Sequence, residues 1–126
     1  MSALAGCSRS DMEAPATITS IRHVERSVST PAWAGHTSRM IVSMPASMPA
    51  TGSPSALIVS LHGKGGSAED TLGLGFDAVV PETGLAIVSV DGGHGYWHRR
   101  ADGRNSGALI LDAAIPQAMT IAGLGP

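Results

Sequence analysis

Two short apolar runs constrain the fold of this chain more than any other feature. Residues 56–61 (ALIVSL) and 85–90 (LAIVSV) are near-continuous aliphatic runs, which is the pattern of a strand covered on both faces. The segment between them carries apolar residues at helical spacing: Leu72, Phe76, Val79 and Val80. Gly73 and Gly75 weaken this helix and predict that it splits into short pieces. A strand, a helix and a second strand in this order predict a parallel βαβ unit.

The residues on either side of this unit extend the α/β pattern. Residues 17–28 and 39–44 are rich in β-branched and apolar side chains and predict two antiparallel strands. Apolar residues over 107–122 predict a helix that Pro116 should bend. The predicted order β-β-β-α-β-α indicates an α/β fold with a mixed sheet, in which an N-terminal antiparallel pair is followed by the parallel unit.

Composition and charge exclude several classes of function. A length of 126 residues allows one domain. Eight Lys and Arg against ten Asp and Glu give a net charge of −2, without the clustered cations that nucleic-acid binding requires. No apolar run reaches the roughly 20 residues of a membrane span, and a single cysteine excludes an internal disulfide framework.

That cysteine lies in a short N-terminal segment, residues 1–16, which we expect to be flexible and to precede a domain over 17–126. The run Leu4-Ala5-Gly6-Cys7 resembles the lipobox of bacterial lipoproteins, which implies lipid attachment at Cys7. Only six residues precede the cysteine, and none is basic, so the printed sequence contains no working export signal and defaults to the cytoplasm. A start of translation further upstream would instead place a lipoprotein in the cell envelope or outside the cell.

A glycine-rich loop follows the first apolar run, where ligand sites of α/β sheets lie. The loop reads His62-Gly63-Lys64-Gly65-Gly66, and the second apolar run ends in Asp91-Gly92-Gly93, with Tyr96-Trp97-His98 shortly after. Together with the strand order, these motifs resemble the first half of a bacterial serine esterase of the esterase-D-like and mycolyltransferase-like α/β-hydrolases. The resemblance covers roughly residues 17–122.

The resemblance implies a role for each residue of the loop. An HGGG-type turn points backbone N–H groups at the negatively charged oxygen that forms when an ester carbonyl is attacked. The amides of Lys64 and Gly65 would be the donors, and His62, Gly63 and Gly66 would shape the turn. The wall of the substrate pocket would then include Asp91, Tyr96 and Trp97. The implied substrate is a small ester, with no cofactor and no metal.

The same loop also fits a dinucleotide-binding fingerprint. Gly63-x-Gly65-x-x-Ala68 satisfies G-x-G-x-x-G/A between a strand and a helix, and Asp91 at the end of the next strand would bind a ribose hydroxyl. His62 and the two preceding strands fit the hydrolase better. A small nucleotide-binding module and a non-catalytic interaction protein on the hydrolase scaffold remain alternatives.

The chain offers no catalytic triad to match the loop. None of the serines lies in a G-x-S-x-G elbow, and in this fold the elbow follows a strand that would come after residue 122. The sequence therefore predicts the first part of an esterase, inactive by itself, without nucleophile, acid or base. The strand over 56–61 would be left with an open edge, which predicts either a complementing C-terminal half or self-association.

The histidines do not form a convincing metal site. His94 and His98 have the i, i+4 spacing of two ligands on a helix, but Gly92, Gly93 and Gly95 make a helix there improbable. No metal is therefore predicted. His23 and His36 are expected to face solvent without nearby partners.

Overall fold

A four-stranded mixed sheet organises the chain, and the computed structural model describes it through residues 21–46, 54 and 56–124. The strands are β1 (Ile21–Val28), β2 (Ser38–Pro45), β3 (Leu57–Ser60) and β4 (Ala86–Val90), in the order β1-β2-β4-β3. β1 pairs with β2 and β2 with β4 in antiparallel fashion, whereas β3 and β4 are parallel. The predicted fold class, with an antiparallel pair and a parallel βαβ unit, is confirmed.

The register aligns a row of valines across the sheet, and this row forms one side of the core. Val42 of β2 pairs with Val24 of β1 and with Val88 of β4, and Val88 pairs in turn with Val59 of β3. Cross-strand partners point to the same face, so the valines present a continuous apolar surface. Leu109 and three alanines of the C-terminal helix lie in the same buried cluster.

β4 is buried along its whole length, as its apolar run predicts. β3 differs from its prediction, because Ile58 is 38% exposed and Leu61, just after the strand, is 48% exposed. The cause is position rather than composition. Within the described sheet, β4 lies between two strands and β3 has β4 as its single neighbour.

The segment between β3 and β4 is helical in pieces, as the two glycines predict. It consists of α1 (Asp70–Gly73), a 3₁₀ turn (Phe76–Ala78) and α2 (Val79–Thr83). Gly75 has a φ of +80°, a conformation that glycine adopts without a steric penalty, and it separates α1 from the 3₁₀ turn. The predicted apolar stripe is therefore interrupted: Val80 is buried, but Phe76 is 56% exposed.

The C-terminal helical segment runs through α3 (Ser106–Ala108), a π-helical stretch (Leu109–Ala114) and α4 (Ile115–Ala122). The side chain of Asn105 caps its start by accepting a hydrogen bond from the amide of Ala108. The irregularity that Pro116 predicts takes the form of the wider π turns, in which the amide of Ile115 donates to the carbonyl of Ile110. Proline has no N–H, and in a regular α-helix its ring collides with the carbonyl of residue i−4, so a widened turn ahead of it gives the ring room.

The N-terminal predictions fall on residues that the structure does not describe. Cys7 with its lipobox-like sequence, and the first residues of the predicted strand over 17–28, lie outside the described residues. Lipid attachment at Cys7 therefore stays a prediction. Through the described part of the chain, the helices are all too short or too polar to cross a bilayer.

Two leucines of the π-helical stretch provide a matched test of this core. Leu109 is completely buried, whereas Leu111, two residues later, is 68% exposed. Leu109→Ala should lower the free energy of unfolding by about 2–5 kcal/mol, because it removes transfer energy and leaves a cavity. Leu111→Ala should change it by less than about 0.5 kcal/mol. Urea unfolding followed by circular dichroism measures both, and equal losses would contradict the described packing.

Candidate functional site

The glycine-rich loop forms a tight turn directly after β3. The amide of Gly66 donates to the carbonyl of Gly63 at 3.0 Å, which closes a four-residue turn over 63–66. Gly65 occupies the third position of this turn with a φ of +80°, where a side chain would be strained. The loop therefore needs glycine at this position for backbone reasons alone.

His62 joins this loop to the loop that follows β4. Its Nε2 accepts a hydrogen bond from the amide of Gly92 at 2.9 Å. A backbone amide can only donate, so the ring proton of the neutral histidine lies on Nδ1, which donates to the carbonyl of Gly63 at 2.7 Å. Through its two ring nitrogens, His62 therefore contacts the backbone of its own loop and of the loop after β4.

Trp97 reinforces the connection from the other side. Its indole Nε1 donates to the carbonyl of His62 at 3.0 Å, and its ring meets the imidazole edge-on with centroids 5.0 Å apart. The ring also lies across Gly92, where an added Cβ would come within 2.6 Å of Cζ3 of Trp97. Gly92 is therefore required by close packing.

The residues after the turn are fixed to the end of β4. The Oδ1 atom of Asp91 accepts a hydrogen bond from the amide of Ala68 at 2.6 Å, and Ser89 Oγ donates to the carbonyl of Ala68 at 2.9 Å. Ala68 is fully buried, so both polar groups of its peptide need such partners. The loop is thus held at His62 and again at Ala68.

Arg39 of β2 forms ion pairs with three carboxylates, one of which is Asp91. Its guanidinium pairs with Asp91 at 3.4 Å, with Glu25 at 3.0 Å and with Glu69. The hydrogen bond to Glu69, assisted by the charges of Asp91 and Glu69, raises the pKa of Arg39. The same hydrogen bond from Arg39 lowers the pKa of Glu69. Glu25 and Glu69 are exposed, and Arg39 and Asp91 are partly exposed, so these ion pairs contribute little to stability.

The amides of Lys64 and Gly65 remain at the tip of the turn. Within the described residues, neither amide has a hydrogen-bond partner. Both residues are exposed, and they lie at the carboxyl end of the parallel strands, where α/β sheets bind ligands. Two adjacent free N–H groups on a fixed loop are able to stabilise a negatively charged oxygen.

The residues expected to line a pocket have different surroundings. Trp97 is half-buried against His62, as described above. Tyr96 is 59% exposed, and its ring is parallel to that of His98 with centroids 6.3 Å apart. Asp91 directs its carboxylate to Ala68 and Arg39. Their role as a pocket wall stays a prediction.

Trp33 is a neighbour of the site that no sequence motif indicates. It follows Pro31 in a 3₁₀ turn between β1 and β2 and stacks on His36, with ring centroids 3.6 Å apart. An added Cβ at Gly93 would lie 3.8 Å from Trp33, so the indole borders the loop after β4. The sequence signal was a tryptophan in a turn, which carries no information about the distant loop it meets.

Two histidines differ from their prediction. His36 stacks on Trp33 and its Nε2 lies 2.7 Å from Ser38 Oγ, and His23 lies 3.4 Å from a carboxylate oxygen of Asp77. Both therefore have partners, contrary to the prediction, whereas the predicted solvent exposure is confirmed for His23. The His23 contact spans 54 residues of sequence, and no local pattern indicates it.

Four serines near the site, Ser60, Ser67, Ser89 and Ser106, have partners for their hydroxyl groups. Ser89 contacts the Ala68 carbonyl as above, and Ser67 donates to Glu69. Ser60 lies 2.6 Å from Thr71 Oγ1, and Ser106 donates to the carbonyl of Tyr96. These contacts fit structural serines. Over the described ranges, no group of three or more His, Cys, Asp or Glu gathers as metal ligands would.

A short hairpin follows Trp97 at the same end of the sheet. Arg99 and Asn105 form an isolated antiparallel bridge, and the amide of Arg100 donates to the carbonyl of Arg104 at 2.8 Å. At its turn, Asp102 accepts hydrogen bonds from the amide of Arg104 and from Nε and Nη2 of the same guanidinium. These bonds lower the pKa of Asp102 from 3.8 to about 2.

Comparison with known proteins gives one clear result. No family model matches the sequence, and no curated protein matches it. Among solved structures, the apoenzyme of S-formylglutathione hydrolase FrmB from Staphylococcus aureus is similar, with a TM-score of 0.60 and 15% sequence identity. The alignment covers 81% of this chain and 41% of that enzyme. This chain has a partial α/β-hydrolase fold.

The loop over 62–66 follows β3, the third strand of this partial α/β-hydrolase fold. The dinucleotide alternative has less support. The helix after the glycines, α1, is only four residues long, and both oxygens of the Asp91 carboxylate are engaged within the chain.

The Trp97–Gly92 contact gives a test of how the loops are held. Gly92→Ala should lower the free energy of unfolding by about 1–3 kcal/mol, because the new methyl group collides with the indole ring. Gly63→Ala is the matched control: its added Cβ meets nothing within 4 Å, and its φ is not positive. The control should stay within about 1 kcal/mol of the parent chain. Urea unfolding and near-ultraviolet circular dichroism compare the two, and an equal effect would refute the described contact.

The Asp102–Arg104 pair predicts a measurable titration. The folded-state pKa of Asp102 is depressed, so its contribution to stability is present above pH 3.8 and is lost as the pH falls towards 2. Arg104→Gln should move the pKa of Asp102 up towards 3.8, while Arg26→Gln on β1 should leave it unchanged. Carboxyl chemical shifts followed by NMR between pH 1.5 and pH 6 (about two units either side of the ordinary value) report the midpoint. A midpoint near 2 in the Arg104 variant would show that this arginine is not the cause.

Proposed function

We propose that this chain is the first part of a serine ester hydrolase domain and supplies its oxyanion hole. One observation carries the proposal: the amides of Lys64 and Gly65 are unpartnered within the described residues, on a turn that His62 ties to the loop after β4. The fold similarity supports it, since the chain spans less than half the length of the hydrolase it resembles.

In this role the chain stabilises the negative charge that develops during ester hydrolysis. When a serine hydroxyl attacks an ester carbonyl, the carbonyl oxygen takes on negative charge, and positioned N–H donors stabilise it. The amides at 64 and 65 are the proposed donors. His62 and Trp97 keep them in place, so that little reorganisation is needed as the charge develops. The serine nucleophile, the acid and the general base belong to the remainder of the domain.

The proposed remainder of the domain has a place to bind. β3 has one strand neighbour in the described sheet, and Ile58 and Leu61 are partly exposed beside its open edge. An edge strand with unpaired backbone groups and apolar side chains pairs readily with another strand. We expect that strand to come from the C-terminal part of the hydrolase domain, with self-association of this chain as the alternative.

The substrate we propose is a small ester or thioester. The Staphylococcus aureus protein is named for hydrolysis of a formyl thioester, and the oxyanion chemistry is the same for oxygen and sulfur esters. No cofactor is needed for this reaction.

The chain by itself should not turn over esters. The purified 126-residue chain should release no p-nitrophenol from p-nitrophenyl acetate above the buffer rate, and a fluorophosphonate probe should not label it. An intact serine esterase is the positive control for both assays. Multiple turnovers that disappear on substitution of a single serine would overturn the assignment of the nucleophile to the rest of the domain.

In the complete domain, joined to or paired with a segment that carries the G-x-S-x-G elbow, the loop amides can be tested directly. Replacing the amide that carries the Lys64 or the Gly65 N–H with an ester removes the donor while keeping the chain length. The kcat should fall by about 10²–10³-fold for a lost donor, with a smaller effect on KM. Lys64→Ala, which keeps the N–H, is the control and should retain most of the kcat. An undiminished kcat in both ester variants would refute the oxyanion role.

A further inference from the structure

The hairpin over 98–104 carries an excess of positive charge in a chain that is negative overall. It contains three arginines and one aspartate, while the whole chain has a net charge of −2. Asp102 is committed to Arg104 through the hydrogen bonds described above, so this pair is internally neutral. Within the described residues, Arg99 and Arg100 take part in no ion pair. The charges of these two neighbouring arginines are therefore not taken up by an ion pair in the described part of the chain.

Packing rather than pairing fixes the position of Arg100. Its side chain is half-buried and lies against Gly95, where an added Cβ would come within 3.0 Å of Cδ of Arg100. Its Nε is buried and has no hydrogen-bond partner among the described residues. A buried donor without a partner is costly, and the guanidinium group as a whole binds most strongly to an anionic oxygen.

The two arginines border a cavity. It has a volume of about 360 Å³ and is lined by His98, Arg99, Arg100, Ala101 and Asp102. This volume accommodates a small organic acid or a phosphoryl group. Arginine recognises both through paired N–H donors that match two oxygens of a carboxylate or phosphate.

The cavity lies close in sequence and structure to the proposed oxyanion loop. His98 follows Trp97 directly, and Trp97 is hydrogen-bonded to His62 at the start of that loop. On the other side, Ser106 ties the end of the hairpin to the carbonyl of Tyr96 at 2.8 Å. The hairpin is therefore attached rigidly to the same end of the sheet as the free amides of Lys64 and Gly65.

We propose that Arg99 and Arg100 bind an anionic group, a carboxylate or a phosphate, on the ligand of this domain. The anion-binding site stands on the cavity and the unpaired arginines. Its further meaning, that the ester substrate carries a negative charge away from the reacting carbonyl, rests on the proposed function. Binding of the anion then positions the ester over the loop at 62–66 and selects acidic substrates over neutral ones.

Anion binding to the intact 126-residue chain tests the site without any need for ester turnover. The probes are monomethyl succinate, inorganic phosphate and the neutral dimethyl succinate, titrated at low salt and followed by the ¹H–¹⁵N NMR signals of the arginine Nε–H groups. We expect the Arg100 signal to shift with an anion and not with the neutral diester. Tighter binding of monomethyl succinate identifies the group as a carboxylate, and tighter binding of phosphate identifies it as a phosphoryl group.

Variants that each remove one positive charge show which arginines bind the anion. Arg99→Gln and Arg100→Gln should each weaken anion binding by about tenfold, the effect of one lost charged hydrogen bond. Arg26→Gln removes the same charge from an exposed position on β1 and should change the affinity by less than about twofold. Arg100→Lys keeps the charge and should recover only part of the affinity. Because Arg99 is exposed, its variant keeps the test decisive if Arg100→Gln disturbs folding.

Three results would overturn the proposal. These are equal binding of dimethyl succinate, unchanged affinity in both glutamine variants, and the absence of any shift with either anion. Each of them leaves the oxyanion role of the loop standing, because that role is measured separately by kcat in the complete domain. Conversely, anion binding could be retained while the ester variants at 64 and 65 keep their full kcat. The anion site would then stand, but its interpretation as part of an ester-substrate site would not.

Discussion

The candidate site depends on the hydrogen bonds by which His62 and Trp97 connect the loops after two adjacent parallel strands. The strands alone bring the loops to the same edge of the sheet but do not fix their distance. The imidazole spans the gap by accepting from Gly92 while donating to Gly63, and Trp97 donates to the carbonyl of His62. Hydrogen bonds of an imidazole and an indole therefore fix the position of these loops, as apolar packing fixes the strands in the core. They leave the amides of Lys64 and Gly65 without a partner among the described residues.

The neighbouring polar contacts extend the same principle. The carboxylate of Asp91 holds the amide of Ala68, Arg39 holds the carboxylate, and Glu25 and Glu69 compensate the arginine. This places charge on β1, β2 and the two loops in one network at the sheet's carboxyl end. The network also explains why an aspartate after β4 need not contact a nucleotide, because its oxygens already have partners in the chain.

Two kinds of donor then lie at one end of the sheet. In the roles proposed above, the backbone N–H groups at residues 64 and 65 stabilise a charge that develops during a reaction, whereas the guanidinium groups of Arg99 and Arg100 bind a charge that a ligand already carries. The first kind acts on the transition state and the second on binding, so the two would affect kcat and KM differently. Trp97 lies between them and ties both to the same sheet.

Local periodicity and the order of the elements predicted the strands and their pairing directions, and two glycines predicted the break in the helix before β4. The turn over 62–66 and a structural role for His62 were implied by the resemblance to α/β-hydrolases rather than by periodicity. Tertiary structure alone decided that β3 is half-exposed, that Phe76 points to solvent and that His23 and His36 have partners. It also decided which arginines remain unpaired. Burial and ion pairing depend on residues distant in sequence, such as His23 and Asp77, and no local pattern encodes which of them meet.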